Sequence, residues 1–478
     1  MRKRSGVVDV LLLMWLLWTA IAAASAVLPL RLLAGDLAEA RRARAEARAE
    51  RDDVPLTLDA FNAQYPAPPD DANLYQELDA LHDAIQNAMR DKRYGEWEMN
   101  GDPGPTGLPT GDNLTMAREG LAAQADANAM LDKLIARLDP AVASPRAVWP
   151  RNKGGGEDLV SDLLPELNSL REIAIVMKLR ALVQASNGNH VEALRTCRAI
   201  VGLADAGGEG RTLVQSLTST GVRALAADAC DRVTTSISPG DIDEELREAM
   251  EQTRDVLLRS DHVRDSFIRN LRGEVVFGLD LIRTMKTGAI DATETGPARS
   301  FTRATFWLLD PMFDHERANY LNVLLDFIAA ANDRPTMHAF EEAFDEDKRI
   351  KAMEDAILPS PFALLILPTM TNSATSQYAV EARETLVGTM LAIRLYQADH
   401  GGELPASLED LVDTYLPAIP MDATSAGEPL HYDADRGRRW TLGRDGKNDN
   451  GHGQADHQRK NPGSAYLREN VDDVVELR

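Results

Sequence analysis

Residues 379–401, AVEARETLVGTMLAIRLYQADHG, decide how the C-terminal part of this chain folds. Leu386, Met390 and Ile393 recur at four- and three-residue steps, which predicts a helix with an apolar face. Gly401 and Gly402 stop it, because glycine readily takes the left-handed conformation that ends helices. A Pro-punctuated segment follows at 403–423 (ELPASLEDLVDTYLPAIPMDA), then a short pair of strands. The chain closes on an Asp/Asn/Gly-rich loop that runs from Leu442 through Asp456 to Asp472 and Asp473.

That loop is the strongest candidate for chemistry. Calcium is a hard cation that takes six to eight oxygens from carboxylates, carbonyls and water. Asp445, Asn448, Asp449, Asn450 and Asp456 supply such oxygens, and Gly443, Gly446, Gly451 and Gly453 permit tight turns. Two plain turns, at Asp445-Gly446 and Asn450-Gly451, are the simpler explanation of the same residues. His452 and His457 flank Asp456 and raise a transition-metal alternative.

The order helix, Pro-rich segment, strands and loop resembles the soluble part of the major (G-type) pseudopilin of type II secretion. The residues that carry the resemblance begin with Tyr396, Asp399, Gly401, Pro405, Leu408 and Leu411. They continue through Pro420, Asp422, Gly427, Pro429 and Tyr432 to Leu442-Gly443-Arg444-Asp445-Gly446 and Asp472-Asp473. The resemblance implies a small α+β module over 377–478 and calcium in the loop. The Leu442 carbonyl, Asp445, Asp472 and Asp473 fall on matching positions, and Asp449 and Asp456 complete the expected ligand set. It also implies that the bulk of the chain lies outside the cytoplasm. In a pseudopilin a long apolar helix and a prepilin-peptidase site stand at the N-terminus directly before this module. Here neither precedes it, so ordinary incorporation into a pseudopilus is not expected.

An apolar run from Val10 to Leu28, interrupted only by Thr19 and Ser25, follows Arg2, Lys3 and Arg4. Its length approaches the roughly 20 residues that span a bilayer. We read residues 1–35 as an uncleaved anchor; a signal peptide cleaved after Ala26 is the competing reading. Residues 36–53 are rich in Arg, Glu and Ala with almost no apolar stripe, which predicts a solvated helical stalk.

Residues 54–357 read as a helical domain, an irregular bundle or short solenoid. Within it, residues 170–206 have the look of one tetratricopeptide-like hairpin turning at Asn187-Gly188-Asn189. Residues 358–376 are apolar but carry Pro359, Pro361 and Pro368, so a connector between domains is expected. The fold class expected is therefore mainly α, with a small C-terminal α+β module and an N-terminal transmembrane helix.

The net charge of −23 argues against nucleic acid as a partner, since phosphate binding needs a basic surface. Two cysteines, Cys197 and Cys230, are too few for a disulfide scaffold; both sit in apolar helical sequence that predicts buried free thiols, with a Cys197–Cys230 pair the alternative if the chain is exported. No HExxH, GxSxG, Walker A loop or strand-borne GxGxxG is present, so no enzyme is expected. The reading is a single-pass protein of a bacterial inner membrane with its bulk in the periplasm. It would be a structural or adaptor protein with a protein partner in the envelope, linked to a type II secretion or pilus-like assembly. A helical protein- or peptide-binding module is the first alternative and an envelope hydrolase the second.

Overall fold

The computed structural model describes residues 31–89, 108–122, 125–144, 146–148, 157–208, 212–259, 261–291, 297–356, 360–435, 437–443, 447–448, 450 and 473–476. The chain is mainly α-helical, with one three-stranded sheet near its C-terminus. It divides into two compact units. The smaller comprises Met1–Leu58, Val275–Leu325 and Asp347–Leu367; the larger comprises Asp59–Glu274, Asp326–Glu346 and Pro368–Arg478. The residues read as one helical domain, 54–357, are thus shared between the two.

In the larger unit, helices Glu157–Ser186, His190–Gly208 and Leu213–Ser236 pack on one another in succession. The first two form the expected hairpin. Gly188 takes φ +80° at the turn, and Asn189 N–H donates to Gln184 O (2.9 Å). Helices Ala125–Leu138 and Glu244–Leu257 lie on His190–Gly208. Gly202 makes the first of these approaches possible: a Cβ there would stand 1.4 Å from the carbonyl oxygen of Leu138. One turn earlier, the buried Arg198 forks onto Asp139 at 3.0–3.2 Å and donates to Ala249 O and Thr253 Oγ1 at 3.1 Å. Cys197 and Cys230 are buried free thiols, as their setting predicts.

The helix predicted from residues 379–401 runs from Pro361 to Asp399. Residues 386–395 are all buried, because the apolar core encloses this stretch on every face. The Pro-punctuated 361–376 forms the first part of this helix, and the boundary between the two units falls within it, at Leu367 and Pro368. Pro361 opens the helix, where a missing N–H costs nothing, and the carboxylate of Glu316 accepts from Ala363 N–H (3.0 Å). Gly401 (φ +65°) and Gly402 (φ +92°) end it as expected, with Gly402 N–H on Gln397 O at 2.7 Å.

In the smaller unit, residues 31–51 are helical, but the stretch expected as a solvated stalk is a packed helix. Ala38, Ala45 and Ala49 are buried at seven- and four-residue spacing. Arg42 pairs with Asp314 at 2.8 Å and Glu46 with Arg317 at 3.0 Å. The seam was hidden because its apolar members are alanines, which read as neutral helix formers. The apolar run Val10–Leu28 lies outside the described residues. Among the described residues no helix is long and apolar enough to cross a membrane.

A buried acid holds the start of helix Leu213–Ser236: Glu274 accepts from Leu213 N–H at 2.9 Å. Burial pushes its carboxyl up to about 7 from 4.5. With the folded value above the unfolded one, its stabilisation is full below pH 4.5 and is lost as pH rises through 7. Glu274→Gln should match the parent near pH 4.5 and exceed it at pH 8 by about 3 kcal/mol in denaturant unfolding. Equal differences at both pH values would contradict this.

Candidate functional site

The strands that carry the candidate loop are β1 (His431–Asp433), β2 (Arg438–Thr441) and β3 (Asp473–Glu476), antiparallel in that order. β1 and β2 join through a turn in which Gly437 takes φ +59°, and His431 stacks on its register partner Trp440 at 5.3 Å. Arg439 faces inward and is fully buried. It donates from Nε to Leu386 O (3.1 Å) and so fastens the sheet to the long helix. Burial pushes its guanidinium down to about 9, which still leaves it charged at neutral pH. Arg383, from the same helix, donates to Val474 O on β3 (3.3 Å) and to Asp231 (2.7 Å).

Among the expected calcium ligands, Leu442 is buried at the end of β2. Its N–H donates to the carboxylate of Asp422 at 2.8 Å. Asp473 opens β3 as the register partner of Thr441, so both stems of the loop meet at one end of the sheet. Asp445, Asp449, Asp456 and Asp472 lie outside the described residues, as do His452 and His457. Asn448 is described: its side-chain oxygen accepts from Trp440 Nε1 (3.1 Å) and Asn450 N–H (2.8 Å), and Asn450 takes φ +57°. Among the described residues no group of His, Cys, Asp or Glu is arranged to hold a metal ion.

A second feature of the larger unit could not be read from the sequence. A cavity of about 450 Å³ is lined by Arg146, Arg223, Arg259 and Arg269, with Asp205, Asp265 and Tyr65 among its other walls. Arg223 is its buried floor. Its guanidinium binds Glu384 at 2.8 and 3.1 Å and also pairs with Asp205. Burial raises the Glu384 carboxyl while Arg223 pulls it down, and the net direction is up. Arg269 lies over the Tyr65 ring at 5.4 Å, and Arg272 donates to the Tyr65 hydroxyl at 2.7 Å. These arginines come from separate elements of an acidic chain, so no local pattern announced them.

Comparison with known proteins finds no family model, no curated protein and no solved structure that matches this chain.

Proposed function

We propose that the chain is a membrane-anchored, extracytoplasmic structural or adaptor protein of a bacterial envelope. Its pilin-like C-terminal module would be stabilised by calcium and offered to a secretion or pilus-like assembly. The observation that carries this reading is the enclosure of residues 386–395 by the chain's own core. A subunit that polymerised through residues 386–395 would need an apolar face open to its neighbours there, and none of these residues is exposed. A helix so enclosed suits a fixed head better than a filament subunit. The order of long helix, short 3-10 turn (Leu408–Leu411) and three antiparallel strands supports the pseudopilin likeness. In this reading calcium is held by the Leu442 carbonyl with Asp445, Asp449, Asp456, Asp472 and Asp473. A cation relieves the repulsion between gathered carboxylates and offsets the entropy of ordering a long loop.

The test uses the full chain in its host membranes, with a photo-crosslinker at the exposed positions Glu409 and Met421. The chain should survive an alkaline wash in the membrane pellet and crosslink to an envelope protein in calcium but not in chelator. A soluble product beginning at Val27 would overturn the anchor. Crosslinking indifferent to chelator, or none at all, would overturn the calcium-dependent adaptor.

A further inference from the structure

Cys197 and Cys230, the buried thiols of the larger unit, face one another across a pair of helices. Helices His190–Gly208 and Leu213–Ser236 are consecutive and packed together. Their register is fixed near the turn that joins them. A Cβ on Gly208 would meet Ser219 Oγ at 3.0 Å, Ser219 Oγ donates to Ala204 O at 2.8 Å, and Asp205 pairs with Arg223. The two helices are therefore antiparallel, with Gly208 level with Ser219. Cys197 lies eleven residues before Gly208, and Cys230 eleven residues after Ser219. Eleven residues make three α-helical turns to within about 20°. Each cysteine thus returns to the face that meets the other helix, at the same distance along the seam.

The packing agrees with this register. The Cys197 and Cys230 thiols share a hydrogen bond, and both residues are 0% exposed. Ala193 and Ala226, one turn away on their own helices, are fully buried as well, and such small residues let helices approach closely. Packed helix axes stand roughly 8–10 Å apart with Cα atoms about 2.3 Å off each axis, so facing Cα atoms are on the order of 5 Å apart. A disulfide spans Cα separations of about 4.4–6.8 Å and fits such a seam. Contact with Cys197, and then burial, hold the Cys230 thiol well above its ordinary range. In the finished fold it stays protonated and inert. Oxidation therefore belongs to the folding chain, before the core closes.

We propose that Cys197 and Cys230 are a disulfide-forming pair, closed in the exported chain into one cross-link between helices His190–Gly208 and Leu213–Ser236. The cross-link rests on the extracytoplasmic reading, which supplies its oxidant, a protein or small-molecule disulfide. One cysteine thiolate attacks a sulfur of that disulfide and expels a thiolate, which leaves a mixed disulfide. The other cysteine then attacks the chain's own sulfur in the mixed bond and expels the second half of the oxidant. One oxidant S–S bond breaks and one Cys197–Cys230 bond forms. Two electrons and the two cysteine protons leave with the oxidant, now two thiols. The closed loop, residues 198–229, loses freedom in the unfolded chain, so the cross-link should stabilise the fold.

The experiment uses the full chain in detergent, reduced in denaturant and refolded either in a glutathione redox buffer or in dithiothreitol. After denaturation the glutathione product should hold no maleimide-reactive thiol. It should weigh two hydrogens less than the dithiothreitol product and carry no glutathione. It should also melt at a higher temperature, a difference that vanishes in Cys197→Ser. Two reactive thiols, or bound glutathione on both cysteines, would overturn the pair wherever the chain resides. In host cells quenched with acid, the denatured chain should likewise take no maleimide until it is reduced. Protease added to spheroplasts reports location separately. Free thiols in a protease-accessible chain would overturn the cross-link. Free thiols in a protected chain that still closes in glutathione would overturn the extracytoplasmic reading alone.

Discussion

Replacing Gly202 by alanine should destabilise the chain by more than about 4 kcal/mol, a large share of the 5–15 kcal/mol that domains typically possess. The added methyl would meet the Leu138 carbonyl oxygen at 1.4 Å. A flexible side chain could swing away from such a contact, but a main-chain carbonyl moves only with its helix. That helix is pinned one turn away by the buried Arg198–Asp139 fork, whose separation would leave an uncompensated charge in the core. Backbone displacement and loss of the fork are therefore coupled, and neither gives a cheap escape. Gly221 is the control. It lies in helix Leu213–Ser236 with nothing within 4 Å of its would-be Cβ. Gly221→Ala should stabilise by about 0.5–1 kcal/mol through helix propensity. Denaturant midpoints of the two variants should move in opposite directions. A small shift for Gly202→Ala would show that the two helices slide freely.

The second large effect is expected at the buried charge cluster under the cavity. Arg223→Met should cost about 3–5 kcal/mol at neutral pH, because it strands Glu384 inside the core. The side chains of Arg223 and Glu384 are only 4% and 2% exposed, so water cannot replace the lost partner. Without the guanidinium the Glu384 carboxyl rises further above its unfolded value. The residual stability of the variant should then be greatest at acid pH and fall as pH rises through the folded value. Adding Glu384→Leu should recover most of the loss, since Asp205 is partly solvated and tolerates losing its partner. A double variant no more stable than Arg223→Met would show that Glu384 holds the core by other contacts.

Several features of the fold were legible in the sequence, each for a local reason. The turn at Asn187-Gly188-Asn189 and the double glycine at Gly401 and Gly402 carry their signal within a few residues. The features that were not legible depend on partners far along the chain. The alanine seam at 38, 45 and 49 gains meaning only beside Asp314 and Arg317. Pro368 looked like a helix breaker, yet helix Pro361–Asp399 runs through it, with Met370 and Ala374 buried just beyond. The cavity arginines at 146, 223, 259 and 269 converge from separate segments, which periodicity cannot register. Of the candidate calcium loop, the described residues supply the two stems, Leu442 and Asp473, and the Asn448 turn.

The enclosed stretch 386–395 also sets an order of events during synthesis. A ribosome makes this chain from Met1 onward, so the helices that surround residues 386–395 emerge long before the segment they enclose. Until then Thr235, Leu257 and Leu258, which lie against Met390 and Gly388 in the finished fold, lack the helix that later covers them. The nascent chain must therefore pass through a stage with an open apolar cleft, the kind of surface that holding chaperones recognise. Contacts so distant in sequence also make the final closure slow relative to formation of the hairpins. A ribosome stalled before residue 380 would release a chain whose centre is missing, and quality control would meet it as a client for degradation.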